Sequence, residues 1–204
     1  IEHNQFDTVY HEHFSYLSLT SVSRIFTEAG LRVFNVEELT THGGSLRIYG
    51  CHISDPRATM ASVVTMLERE KIFGLQDLKV YEGFQRKADK VKNDFLVFLI
   101  EQKRAGKSIG AYGAAAKGNT LMNYAGIKHD LIDFVCDAAP SKQNMYMPGS
   151  HISILSPAEL AKRKPDWVII LPWNIAEEVI QQQQQVRAWG GEFVIAVPEI
   201  KVLA

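Results

Sequence analysis

Short apolar runs in the second half of the chain alternate with stretches whose apolar residues have helical spacing. The runs predict strands, and the intervening stretches predict helices. The predicted strands are residues 108–112, 131–136, 151–155, 167–171 and 193–197, and the predicted helices are 119–126, 157–163 and 175–189. Such alternation is typical of a parallel sheet wrapped by helices, so the pattern predicts an α/β fold.

The first 54 residues follow a different pattern, which predicts a strand, a helix and an antiparallel pair. These elements are residues 6–10, 18–29, 31–36 and 46–51. Gly30 supplies a stop for the helix, and a glycine turn joins the antiparallel pair. Asp55-Pro56 then breaks the pattern, and two helices follow at 59–71 and 81–104. We therefore predict a domain boundary near residue 55.

Composition narrows the class of protein. The 204 residues are 46% hydrophobic and 22% charged, with a net charge of −1, as in ordinary globular proteins. The chain has no excess of Lys and Arg over Asp and Glu of the kind expected in a nucleic-acid-binding protein. No apolar run approaches the roughly 20 residues of a membrane span. Cys51 and Cys136 are too few for a zinc site or a disulfide framework, which favours a cytoplasmic location. The sequence starts at Ile1, without a start methionine and in the middle of a pattern of predicted elements. We therefore expect this chain to be the later part of a longer protein.

Tyr10-His11-Glu12-His13 concentrates proton-transfer groups directly after the predicted strand at 6–10. Three interpretations are open. His11 and His13 could share one face of a strand and bind a metal, although spacing places no third ligand. The side chains could instead fill gaps over a sheet. The third interpretation is acid–base chemistry, in which a histidine abstracts a proton and Glu12 orients it.

A glycine-rich turn from Gly110 to Thr120 links a predicted strand to a predicted helix and contains Lys117. Such a turn points backbone N–H groups and the helix dipole at one place, which suits a diphosphate. Small residues can equally serve to let a helix and a strand pack closely. The turn matches neither the dinucleotide nor the nucleoside-triphosphate motif. Asp137, about 20 residues further on, could hold a ribose or belong to an ordinary turn.

Taken together, these motifs resemble the sugar C-methyltransferases, which methylate carbon 3 of nucleotide-linked 4-keto-deoxysugars. The resemblance covers essentially the whole chain in order. It is carried by Phe6–Ser18, Thr41-His-Gly-Gly-Ser-Leu-Arg47, Gly110–Thr120, Leu171-Pro-Trp-Asn174, Gly190-Gly-Glu-Phe193 and Pro198-Glu199.

The resemblance implies a domain organisation and cofactors. Residues 1–54 would be the C-terminal end of a class I, S-adenosylmethionine-dependent methyltransferase domain, and 55–204 a Rossmann-like sugar-nucleotide-binding domain. S-adenosylmethionine would be bound mainly by a domain missing from this chain, because its glycine-rich motif has no counterpart here. Zinc is expected only in a missing N-terminal region. The isolated chain would be inactive.

The resemblance also implies a chemistry. His13 would remove the proton beside the ketone of a nucleotide-linked keto-deoxysugar, with Glu12 and Tyr10 supporting the base or the enolate. Substrate would be bound by Lys117, Asn119, Gly113 and, as a weaker candidate, Arg47. His42 would be structural or a substrate contact. We predict no metal in this chain.

Two other function classes are weighed against this one. The main alternative is a sugar-nucleotide-binding module of Rossmann-like fold without catalysis of its own. A nicotinamide-dependent oxidoreductase or epimerase is disfavoured, because the chain has neither G-x-G-x-x-G nor a Tyr-x-x-x-Lys pair.

Overall fold

The computed structural model describes residues 1–203, which form two compact units. One unit joins Ile1–Glu12 to the chain from Phe84 onward, and the other is His13–Gly83. The predicted boundary at residue 55, between a methyltransferase-domain end and a nucleotide-binding domain, stays a prediction.

The unit His13–Gly83 is a helix and a hairpin packed with a second helix. Its elements are α1 (Leu19–Glu28), β1 (Leu31–Leu39), β2 (Ser45–His52), α2 (Ala61–Phe73) and α3 (Lys79–Glu82). The antiparallel pairing of β1 with β2 confirms the predicted hairpin. The carboxylate of Glu70 on α2 accepts hydrogen bonds from the amides of Leu19 (2.6 Å) and Thr20 (2.8 Å). It therefore satisfies N–H groups that the start of α1 would otherwise leave without partners.

The larger unit is an α/β layer structure. Its elements are α4 (Phe84–Arg104), β3 (Ile109–Tyr112), α5 (Ala116–Tyr124), β4 (Phe134–Cys136), β5 (Ile154–Leu155), α6 (Ala158–Arg163), β6 (Trp167–Ile170), α7 (Ala176–Gln182), β7 (Glu192–Ile195) and β8 (Lys201–Leu203). The strand order is β5-β4-β3-β6-β7-β8, parallel except for β8, which runs antiparallel to β7. The predicted sheet is thus confirmed, and β8 is an addition that the sequence pattern did not indicate.

The sheet is buried on both faces, which explains its continuous apolar runs. Along β3, Ile109 and Ala111 pack into one core with α4 and α5, whereas Tyr112 packs into a second core on the opposite face. Along β6, Val168 and Ile170 belong to the second core and Ile169 to the first. The period of two therefore persists, but both sets of positions are apolar.

Three predicted elements differ from the structure. The helix predicted at 81–104 is interrupted at Gly83, which separates α3 from α4. The strand predicted at 6–10 is wrong, because Phe6–Thr8 is a 3₁₀ helix closed by local hydrogen bonds from Thr8 N–H to Gln5 O and from Val9 N–H to Phe6 O. The helix predicted at 175–189 ends at Gln182. The next residue, Gln183, is buried, and its side-chain amide donates to the Tyr112 hydroxyl (3.3 Å). A 3₁₀ helix then follows at Gln184–Trp189.

The structure requires glycine at Gly113 for two independent reasons. Its φ is +91°, and a Cβ at this position would lie 2.4 Å from Cδ of Pro172. We predict that Gly113→Ala lowers the free energy of unfolding by about 2–4 kcal/mol, measured by urea denaturation, because it combines left-handed strain with overpacking.

Gly126 provides the matched control for this prediction. Its φ is +67°, but an added Cβ would meet nothing within 4 Å. Gly126→Ala should therefore cost only about 1–2 kcal/mol, the conformational part alone. Equal losses for the two variants would show that the contact with Pro172 does not matter.

Candidate functional site

The candidate site lies at the carboxyl edge of the parallel sheet, where the chain order reverses. β4 lies on one side of β3 and β6 on the other, and open α/β sheets bind ligands in the crevice beside such a reversal. The loop from β3 to α5 and the loop that follows β6 meet at this edge.

Close packing explains two glycines of the predicted phosphate loop. Gly113 lies against Pro172, and a Cβ on Gly118 would lie 2.5 Å from Cβ of Leu171. These contacts favour the interpretation that small residues permit close packing here, although the partner of α5 at Gly118 is the residue that follows β6 and not β3 itself. Any anion binding must come from other groups of the loop.

The first turn of α5 supplies such groups. The amides of Ala114 and Ala115 are already used, by Asp137 Oδ2 (2.7 Å) and by the Gly113 carbonyl (2.8 Å). The next three amides, of residues 116–118, have no partner within the helix by its geometry. No side chain caps this end of α5 and no acidic residue lies in its first turn, so no side chain of the helix itself offsets the positive end of its dipole.

A cavity of about 340 Å³ adjoins this turn. On the α5 side it is lined by Ala116, Asn119 and Thr120, and on another side by Tyr10 and His11. The connection between β4 and β5 completes the wall with mainly apolar side chains and the ammonium-bearing Lys142. Met145, Tyr146, Met147 and Pro148 belong to that connection. The cavity thus combines an apolar wall with a helix N-terminus and one cation.

Asp137 holds the loop between β3 and α5 in place. Its carboxylate accepts from the amides of Ala114 (2.7 Å) and Ala139 (2.8 Å) and from Lys142 Nζ (3.3 Å). These contacts support the interpretation of Asp137 as a turn residue over that of a ribose ligand. The same interaction places Lys142 beside the cavity.

The Tyr10–His13 motif is divided between the two compact units. Tyr10 is half-buried and lines the cavity with His11, and their rings are 6.5 Å apart. Glu12 is 4.0 Å from His11, and both side chains are exposed. His13 belongs to the other unit, where its ring contacts that of Tyr16 at 6.2 Å. The structure therefore brings Tyr10 and His11 to the cavity, and the catalytic roles of His13 and Glu12 stay predictions.

Lys117 is placed differently from what a diphosphate contact requires. It is only 7% exposed, and its Nζ donates to Asn174 Oδ1 (2.6 Å) and lies 4.7 Å from the centre of the Trp173 ring. It is not among the residues that line the cavity. Burial lowers the pKa of this lysine, whereas the charge of Asp7 raises it. Asn119, in contrast, lines the cavity, and its buried Oδ1 makes no hydrogen bond to the described residues.

The remaining predicted residues lie in the unit His13–Gly83. Arg47 is on β2, where its exposed guanidinium is 3.4 Å from Glu37 Oε2. Tyr49 donates to the same carboxylate oxygen (2.9 Å). His42 is exposed, with a left-handed φ of +57° in a 3₁₀ turn.

Neither a metal-binding cluster nor a membrane-spanning helix is present within residues 1–203. That part of the chain contains no group of three or more His, Cys, Asp or Glu side chains that could hold a metal ion. None of its helices is both long and apolar enough to cross a membrane. Cys136 is fully buried in the core of the sheet, and this burial raises the pKa of its thiol to about 12.

Comparison with known proteins establishes the family. Residues 40–198 match the family described as the C-methyltransferase C-terminal domain. The chain belongs to this family. C-methyltransferase NovU from Streptomyces niveus is 34% identical over 204 residues, which are 100% of this chain and 49% of NovU. The chain therefore spans about half the length of that relative, and the predicted C-methyltransferase resemblance is confirmed.

Several cavity residues of this C-methyltransferase C-terminal domain were missed by sequence reasoning. Lys142 could have been found from its position in the sequence. It follows the turn Asp137-Ala-Ala-Pro140 at the carboxyl end of a predicted strand, where α/β sheets place ligand-binding residues. The apolar wall at residues 145–148 had no periodic pattern. Its position depends on hydrogen bonds such as Met147 N–H to Ile152 O (2.8 Å), which are tertiary features.

The role of Asp137 in this C-methyltransferase domain generates a prediction. Asp137→Ala should lower the free energy of unfolding by about 2–3 kcal/mol, because the amides of Ala114 and Ala139 lose a charged acceptor. Urea denaturation measures the loss. Asp130→Ala, at an exposed turn position, should stay within about 0.5 kcal/mol. If the two variants were equally stable, the carboxylate would not be holding the loop.

Proposed function

We propose that this chain supplies the substrate-binding and proton-transfer part of a C-methyltransferase acting on a nucleotide-linked keto-deoxysugar. The observation that carries the proposal is the cavity, because Tyr10 and His11 line it together with the uncapped first turn of α5. Proton-transfer groups and an anion-binding helix end thus face one space that a small substrate can occupy.

The diphosphate is proposed to bind at the first turn of α5. Its charge would meet the amides of residues 116–118 and the positive end of the helix dipole. Lys142 is the cation on the cavity wall, and its ammonium is within reach of the loop, 3.0 Å from the Ala114 carbonyl. Asn119 would bind a sugar or phosphate group through its amide. The apolar wall suits the base or the deoxysugar ring.

Proton removal is proposed for His13, with Glu12 and Tyr10 in support. A proton on the carbon beside a ketone is weakly acidic, so the base alone is not sufficient. The enolate oxygen needs a positioned hydrogen-bond donor as its charge develops, and the Tyr10 hydroxyl is the proposed donor. Lys117, Gly113 and Arg47 stay proposed substrate-site residues. For Gly113 the proposed part is to let the loop pack against Pro172, since its amide already donates to the Cys136 carbonyl (2.7 Å). Because the Lys117 ammonium donates a hydrogen bond to Asn174, its proposed part is to support the residues that form the site.

The described residues do not fit S-adenosylmethionine. Asp137, the acid placed to hold a ribose, is already engaged by two amides and Lys142. The unit His13–Gly83 contains only a two-stranded antiparallel sheet. When bound, this cofactor supplies the methyl group. We therefore propose that it is held mainly by other parts of a longer protein, as NovU is about twice the length of this chain. Zinc in such a part, and a cytoplasmic location, stay predictions.

A second candidate function is a sugar-nucleotide-binding module without chemistry. One observation favours it, because the cavity lies entirely within one compact unit whereas the proposed base, His13, belongs to the other. The two candidates differ in whether the protein exchanges the proton beside the ketone.

The test uses the complete protein that carries this chain. His13→Gln should lower turnover by about 10²–10⁴-fold and leave sugar-nucleotide affinity nearly unchanged, because a base acts mainly in the transition state. Solvent-deuterium exchange at the carbon beside the ketone reports proton abstraction separately from methyl transfer.

His129→Gln is the matched control, since His129 is an exposed turn residue outside the cavity. It should exchange and methylate as the wild type does. Wild-type exchange in His13→Gln would exclude His13 as the base and direct attention to His11 and Glu12. No exchange in the wild-type protein, with sugar nucleotide still bound, would favour the binding module.

A further inference from the structure

The segment before the Tyr10–His13 motif is anchored in the larger unit by its buried side chains. Phe6 is 8% exposed, and its ring meets that of Tyr124 edge-on at 5.4 Å. Asp7, its neighbour, is fully buried. Adjacent side chains are both buried because the segment forms a 3₁₀ helix against α5 instead of a strand.

The burial of Asp7 is unusual for a carboxylate. Its Oδ2 accepts a hydrogen bond from Trp173 Nε1 (2.7 Å), and its Oδ1 makes none with the described residues. Burial raises the pKa of Asp7, whereas the Trp173 hydrogen bond and the charge of Lys117 lower it. A carboxyl group with one partner is costly to bury, so an apolar residue would serve packing better. The contact with Trp173 is therefore the feature of Asp7 that needs explanation.

Trp173 connects this carboxylate to a buried cation. The indole N–H points to Asp7, while Lys117 Nζ lies over the ring at 4.7 Å and is held by Asn174 Oδ1. A negative acceptor at the N–H increases the electron density that attracts a cation to the ring face. Asp7, Trp173 and Lys117 thus form one connected polar group, which we name the indole bridge.

The indole bridge joins three parts of the chain at the carboxyl edge of the sheet. Asp7 belongs to the N-terminal segment, Lys117 to the first turn of α5, and Trp173 to the loop after β6. Tyr10 is three residues after Asp7 in the sequence and lines the cavity beside α5. The contact that holds Asp7 therefore contributes to the position of Tyr10 relative to the first turn of α5.

We infer that Asp7 is a positioning residue, whose hydrogen bond to Trp173 fixes Tyr10 in the cavity wall beside the first turn of α5. Its functional consequence rests on the proposed function of Tyr10. Loss of the anchor should leave the cavity able to bind the diphosphate but misplace the donor for the enolate. Turnover is then more sensitive than substrate affinity.

The anchor itself can be tested without any assay of activity. In the complete protein, Asp7→Ala should accelerate amide hydrogen exchange in residues 6–12 by about tenfold or more, because a charge-assisted hydrogen bond is lost. The indole N–H resonance of Trp173 should also shift. Those of Trp167 and Trp189, which donate to Gln102 and Pro165, should stay in place as internal references.

The kinetic arm compares variants that keep or remove the hydrogen bond. Asp7→Asn keeps an acceptor oxygen for Trp173 and should turn over within about threefold of the wild type. Asp7→Ala and Trp173→Phe should each lower kcat roughly 10- to 100-fold with KM within about threefold. The double variant should be no worse than either single variant, because both remove one interaction.

Asp166→Asn is the control for a merely structural effect. Asp166 accepts from Ser108 and Lys107 just before β6, at the opposite end of that strand from Trp173. Its variant should lose stability but keep kcat per folded molecule and exchange at residues 6–12.

Three results would overturn the inference: unchanged exchange in Asp7→Ala, unchanged kcat in both Asp7→Ala and Trp173→Phe, or an Asp7→Asn variant as impaired as Asp7→Ala. If Asp7→Ala fails to fold, Asp7→Asn and Trp173→Phe decide the question. If the wild-type protein methylates no keto-deoxysugar, the proposed function fails, whereas the exchange and resonance results still decide whether Asp7 anchors the segment.

Discussion

The hydrogen bond from the Trp173 indole to the buried Asp7 carboxylate is the interaction on which the candidate site depends. It joins residues 166 positions apart and draws the N-terminal segment to the carboxyl edge of the sheet. Tyr10, three residues after Asp7, lines the cavity beside α5. At the same edge, Asp137 fixes the loop before α5 and holds Lys142 at the cavity. Two buried carboxylates thus set the geometry of the site from opposite sides of one helix end.

Lys117 and Lys142 have different proposed roles because their side chains differ in burial. Lys117 is enclosed against Trp173 and Asn174, and it stabilises the site from within. Lys142 has a side chain that is 44% exposed and lines the cavity, whereas Lys117 does not line it. The helix end and Lys142 are therefore the anion-binding groups in this account, and the glycines mainly permit close packing of the loops.

Sequence patterns correctly predicted the strands whose side chains are all buried in apolar surroundings. β3 and β6 are apolar throughout because both faces of the sheet are buried, so their apolar runs were sufficient. The 3₁₀ helix at Phe6–Thr8 was mispredicted because its burial comes from contacts with α5 that no local pattern encodes. Tyr10 and His11 were singled out from their chemistry and Asn119 from the family resemblance, but the placement of Lys142 and Asp7 required tertiary contacts distant in sequence. Membership of the C-methyltransferase C-terminal domain family is confirmed, whereas the methylation itself, the sugar and the base remain proposals.

The most direct test of this account is a titration of the ¹⁵N-labelled chain with a nucleoside diphosphate, followed by amide chemical shifts. Diphosphate binding at the first turn of α5 should shift the amides of residues 116–118 progressively, together with those of cavity residues such as Asn119 and Thr120. Lys142→Ala should weaken the response by roughly tenfold, because an accessible cation beside the diphosphate is lost, and S-adenosylmethionine should produce no comparable shifts. Shifts confined to the unit His13–Gly83, or none at the first turn of α5 at saturating ligand, would contradict the account.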